Sequence, residues 1–105
     1  MSLLDRLETM LASGQDNLLL RFSLGKGYAE AGQNELACEH LRAALAFDPD
    51  YSVAWKWLGK ALLARELPGE ARDAWEHGLA SASKRGDQQV VKELQVFLRR
   101  LDKNT

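Results

Sequence analysis

The chain has 105 residues, 46% of them hydrophobic and 28% charged, with a formal net charge of -1. These limits fit one small soluble domain with a modest apolar core and leave no basic excess for a dedicated nucleic-acid binder. Cys38 is the lone cysteine, which excludes an internal disulfide and favours a reducing compartment; the start lacks the basic and apolar runs of a leader, and no stretch nears the roughly 20 apolar residues that span a bilayer, so a cytoplasmic location away from membranes is expected.

The spacing of apolar residues predicts six helices. Residues 3 to 13 place Leu3, Leu4, Leu7, Met10 and Leu11 on one helical face, and Gly14-Gln15-Asp16-Asn17 breaks the pattern. Helices follow at about 18 to 31, 34 to 47, 52 to 65 and 68 to 82, separated by Gly32, by Asp48-Pro49 and by Pro68, a residue suited to the first turn of a helix. The last begins after Gly86-Asp87, with Asp87 as N-cap, and runs to about Asp102. Its apolar stripe is Val90, Val91, Leu94, Phe97, Leu98 and Leu101.

Within these helices one pattern recurs. Leu24-Gly25-Lys26 returns 34 residues later as Leu58-Gly59-Lys60, and Ala37 and Leu45-Ala46 return in the same frame as Ala71 and Leu79-Ala80. Glycine inside a helix costs about 1 kcal/mol relative to alanine, so Gly25, Gly59 and Gly78 are expected at close helix contacts. Gly25 and Gly59 should meet Ala37 and Ala71 across each hairpin, with Tyr28, Leu41, Leu62, Trp55 and Trp75 filling the core around them.

A 34-residue period with these residues in register resembles the tetratricopeptide repeat over residues 18 to 85. The second unit departs at its turn, Glu66-Leu67-Pro68-Gly69, and at its close, where Ala82-Ser83 replaces the Asp-Pro stop. The resemblance implies an all-α fold, a right-handed superhelix of antiparallel helix pairs with about six helices. It divides the single domain, 1-105, into an N-terminal half repeat (1-17), two full repeats (18-51 and 52-85) and a C-terminal capping helix (86-105). A register slip of two residues turns Val91, Leu94 and Leu98 of the cap toward the core.

No constellation for catalysis emerges, so no enzyme, cofactor or metal site is expected. His40 and His77 lack partners at ligand spacing and read as solvated residues on the outer helices; Cys38 reads as a small packing residue without a cationic neighbour. Gly25-Lys26-Gly27 lacks the preceding strand of a phosphate loop. The resemblance implies instead a concave groove lined by the first helix of each pair, here presenting Phe22, Lys26, Lys56, Trp57 and Lys60, with Lys92 and Arg99 added by the cap. Some members clamp a terminal carboxylate with Lys and Asn residues; Phe22, Lys26 and Trp57 stand at those places, so that clamp is not reproduced. The implied function is a protein-interaction adaptor whose groove takes a peptide or protein segment, with cations suited to an acidic one and Trp57 to an apolar side chain. The alternative is a self-associating module in which the groove or an end helix packs on a second copy.

Overall fold

A computed structural model describes residues 1–104. Among them are six helices and no strand: α1 (Leu3–Ala12), α2 (Leu18–Glu30), α3 (Asn34–Phe47), α4 (Ser52–Ala64), α5 (Pro68–Arg85) and α6 (Gln88–Lys103). Each helix packs on the next, α2 on α3 and α4 on α5 most extensively, while α4 also touches α2 on one side and α6 on the other. This is an all-α, tetratricopeptide-like stack of sequential helix pairs.

Local chemistry sets the helix starts. Ser2 and Asp5 form a reciprocal capping box, with Ser2 Oγ accepting from the Asp5 amide at 3.1 Å and Asp5 Oδ2 accepting from the Ser2 amide at 3.2 Å. Asn17 caps α2 by accepting from the Leu20 amide at 2.9 Å, and Asp87 caps α6 as expected, accepting from Val90. Pro68 opens α5, where its missing N–H has no helical partner to lose.

The turn between α4 and α5 keeps the geometry of the turn between α2 and α3 although its glycine is gone. Gly32 sits at φ 78° and Glu66, 34 residues on, at φ 63°. In both turns the next amide reaches back to the fifth residue before it: Gln33 to the Tyr28 carbonyl at 2.9 Å, Leu67 to the Leu62 carbonyl at 3.0 Å. The left-handed conformation is therefore imposed on a residue with a Cβ.

α5 continues past Ala82 to Arg85, one turn beyond the expected end, because its stop is Gly86 in the left-handed conformation at φ 75°. The added turn is tied back to the α3–α4 loop. Ser81 Oγ donates to Asp50 at 3.0 Å, Lys84 pairs with Asp50 at 2.8 Å, and Arg85 grips both oxygens of Asp48 at 2.6 and 2.9 Å.

The core runs from α3 to α6, with Leu41, Leu62 and Leu94 fully buried, and Leu24 of α2 likewise has no exposed surface. The expected close approaches occur, but against large partners rather than Ala37 and Ala71. A Cβ on Gly25 would lie 2.5 Å from Leu41 Cγ, and one on Gly59 only 2.1 Å from Trp75 Nε1. Gly78 admits Trp55 and Leu94 in the same way, at 2.7 and 3.0 Å. Trp75 is buried, at 3% exposure. Trp55 and Tyr28 are half-buried instead: each stacks on an outer-helix histidine, Trp55 on His77 with centroids 4.6 Å apart and Tyr28 on His40 at 5.6 Å. The Trp55 indole donates to the Pro49 carbonyl at 2.7 Å, which holds the ring at the rim of the core. In α6 the buried residues are Val90, Leu94 and Leu101, while Val91 and Leu98 lie at the edge of the interface.

Candidate protein-binding groove

α2, α4 and α6 share one face of the molecule, and α3 and α5 lie behind them. At the centre of that face is Trp57, half-buried on α4. Lys60, one turn along the same helix, holds its Nζ 4.4 Å from the indole centroid, and Lys26 reaches across from α2 to 5.6 Å. Lys60 also lies 5.8 Å from the ring of Phe97 on α6. Among the described residues neither lysine has a carboxylate partner. Two unneutralised ammonium groups thus converge on one aromatic ring.

The remaining sequence-derived groove residues divide into several settings. Phe22 is half-buried and packs edge-on against Tyr51, centroids 5.3 Å apart, so it forms wall rather than free surface. Lys56 pairs with Glu93 of α6 at 3.1 Å and keeps only 14% of its side chain exposed, a strut between α4 and α6 rather than a free cation. Lys92 and Arg99 are exposed and have no ion pair among the described residues, but Lys92 is about 100° around the helix from Glu93 and Arg99 about 100° from Arg100, the α6 residues beside α4.

Beside Trp57 the groove deepens into a pocket of about 360 Å³ lined by Lys60, Leu63, Ala64, Trp75, Phe97 and Arg100. The Trp75 ring, rooted on α5, reaches the groove side because Gly59 has no side chain to stop it. Its indole N–H donates to the Lys56 carbonyl at 3.0 Å, and Phe97 leans against it at 5.2 Å and 43°. Phe97 and Trp75 carry no groove signature in sequence, since each reads as core. The one available cue was that Lys56 and Glu93 are oppositely charged, which would have brought the Phe97 side of α6 toward α4.

The outer face differs in charge. Glu35, Glu39, Asp73 and Glu76 are exposed on α3 and α5, and Glu70 pairs with Arg42 at 3.6 Å. His77 is exposed there, but His40 is not a solvated surface residue: it is only 5% exposed. Arg21 Nη1 lies 3.0 Å from His40 Nδ1, and because a guanidinium can only donate, Nδ1 accepts and the neutral ring carries its proton on Nε2, 3.4 Å from Glu8 Oε1. Burial holds the His40 pKa below its usual 6.5, against the opposing pull of Glu8, Glu39 and Asp16. Arg21 is fixed in turn by Asp16 at 2.8 Å. Cys38 is buried, and it has a cationic neighbour in Arg65, whose pKa is raised chiefly by its proximity to the cysteine. No group of three His, Cys, Asp or Glu among the described residues is placed to hold a metal, and no helix among them is long and apolar enough to cross a membrane.

No family profile matches the chain. It is 54% identical over 101 residues to a TPR repeat-containing protein of Pseudomonas aeruginosa, an alignment that covers 96% of either chain. A protein of Bordetella parapertussis with a known solution structure is 64% identical, with a TM-score of 0.88 over 99% of this chain and 90% of that one. A heat-shock-cognate co-chaperone of Aspergillus fumigatus is 31% identical over 75 residues, 71% of this chain and 22% of the co-chaperone. With the 34-residue recurrence, the paired helices and a full-length relative of that description, the chain belongs to the tetratricopeptide-repeat family.

Proposed function

We propose that the chain is an adaptor that holds an acidic segment of a partner protein across the face formed by α2, α4 and α6. Tetratricopeptide-repeat proteins are protein-interaction modules. The observation that carries the finer reading is the pair of lysines, Lys26 and Lys60, held on the Trp57 ring without a carboxylate partner among the described residues. An incoming acidic chain meets cations already placed and not already neutralised, so association is favoured at little cost in broken ion pairs.

A titration of acidic peptides against the protein, repeated with Lys26→Glu/Lys60→Glu and with His77→Ala on the outer face, tests this. The double charge reversal is expected to slow association and remove most of the salt dependence, and Trp57→Ala to speed dissociation at a cost of about 2 kcal/mol. Lys56→Glu is the wrong probe, because it breaks the strut to Glu93 and disturbs the fold itself. Binding lost in His77→Ala and kept in the charge reversal moves the site to the outer face and ends the groove reading.

Self-association is favoured by one observation, the apolar N-terminal end. α1 buries no residue fully, and Met1, Leu3 and Leu19 are 84%, 71% and 65% exposed. Sedimentation velocity over a hundredfold range of concentration distinguishes the two readings: a constant, monomeric coefficient removes this one.

A further inference from the structure

The pocket between α4 and α6 differs from the rest of the groove in what it can hold. Four of its six lining residues, Leu63, Ala64, Trp75 and Phe97, offer hydrocarbon, and the two others, Lys60 and Arg100, offer charge. The one polar atom of the Trp75 ring is already satisfied by the Lys56 carbonyl at 3.0 Å, so the ring has only apolar surface to present. Leu63 stands 40% exposed beside it, an apolar residue in contact with water in the absence of a ligand. Burying such surface is favourable in proportion to its area, and the lining supplies no buried donor or acceptor that a polar ligand could satisfy.

The cations give the pocket its second requirement. Lys60 lies between two rings, 4.4 Å from the centroid of Trp57 and 5.8 Å from that of Phe97, and neither it nor Arg100 has an ion pair among the described residues. A carboxylate arriving there need not displace another. We propose that this pocket takes one large apolar side chain, aromatic or aliphatic, from the acidic segment of the partner, while carboxylates on either side of that residue pair with Lys60 and Arg100. The proposal rests on the acidic-segment reading and narrows it to a motif, a single bulky apolar residue between acidic ones. A cavity of about 360 Å³ suits one side chain and its flanking backbone, near the small end of the usual range for ligand sites.

The test uses two acetylated and amidated peptides, Glu-Glu-Asp-Phe-Asp-Glu-Glu and its twin with Ala in place of Phe, titrated to about 5 mM into the nitrogen-15-labelled chain, a range that detects even millimolar affinity. The Phe peptide is expected to shift the indole resonance of Trp75 and the amides of Lys60, Leu63, Phe97 and Arg100, and to bind at least about tenfold tighter than its twin. Ala64→Trp, which fills the pocket from an exposed site and leaves both cations, should abolish the preference for Phe; Arg100→Gln should weaken both peptides alike. Equal binding of the two peptides in the groove overturns the pocket proposal and leaves the acidic-segment reading standing. No shift of any groove residue overturns both. A second copy inserting its own exposed Phe47, the other occupant to be considered, would shift the pocket resonances with protein concentration alone, and that result too overturns the proposal.

Discussion

Gly59 and Gly69 are both helical but meet different surroundings, and the difference sets opposite signs for the same substitution. A Cβ at Gly59 would sit 2.1 Å from Trp75 Nε1, whereas one at Gly69 meets nothing within 4 Å. Gly59→Ala is expected to push the indole off the Lys56 carbonyl and destabilise by about 1–3 kcal/mol, more than the helix-propensity gain of about 1 kcal/mol returns. Gly69→Ala keeps that gain or part of it, and urea midpoints of the two variants should move in opposite directions. Glu66→Gly relieves a left-handed residue whose Cβ strain is about 1–2 kcal/mol, offset by a gain of about 0.4–1 kcal/mol in unfolded-chain entropy, so a net stabilisation between about 0 and 1.6 kcal/mol is expected. The need for glycine at 25 and 59 was legible because its spacing repeats. What each glycine faces was not, since small-on-small and small-on-large packing leave the same residue in the sequence. The burial of His40 was equally hidden, because it depends on Arg21 and Glu8 arriving from two other helices.

At the scale of elements, the six helices follow from punctuation that any reading of the chain meets: capping residues, Gly32, Pro68 and Gly86. Only the end of α5 escaped, because the 34-residue frame places its close at Ala82-Ser83 while the helix runs on to Gly86, and the anchoring of Lys84 and Arg85 to Asp50 and Asp48 is a contact between residues more than 30 apart. The two end helices have unlike attachments. α1 buries no residue fully, whereas α6 buries Val90, Leu94 and Leu101 and places Leu94 against Gly78. Hydrogen exchange is therefore expected first in α1 and later in α6, although both begin with a side-chain cap. Deleting residues 88 to 105 exposes the apolar side of α5 and leaves Lys56 without Glu93; aggregation or loss of a cooperative transition should follow. A soluble truncation with one sharp transition would show that α6 is an appendage rather than part of the core.

The net charge of -1 conceals a division across the whole molecule, with unneutralised cations on the face of α2, α4 and α6 and exposed acids on α3 and α5. The division could not be read from composition, since it requires knowing which helices share a face. The ionisable groups whose titration is perturbed also act together on stability. Asp48 is held low by hydrogen bonds from Arg85, Asp50 by those from Lys84 and Ser81, and Asp16 by that from Arg21. Each is a carboxylate whose folded pKa lies below its unfolded one, so its contribution is present above about pH 4 and is lost as pH falls through the folded value. His40 is held low by burial, so the unfolded chain takes its proton first and stability declines as pH falls below about 6.5, levelling once the folded ring is protonated too. Both effects have the same sign, and unfolding free energy is expected to fall in two steps from neutral to acid. Salt separates them. Exposed ion pairs are screened over about 3 Å at 1 M, so the lower step should shrink in 1 M salt, while the upper one, caused by burial, should persist. Urea unfolding across this pH range at low and high salt makes the measurement. Asp48→Asn/Asp50→Asn should flatten the lower step and His40→Asn the upper; an upper step that survives in His40→Asn would assign it to another group and remove the buried neutral histidine from the account.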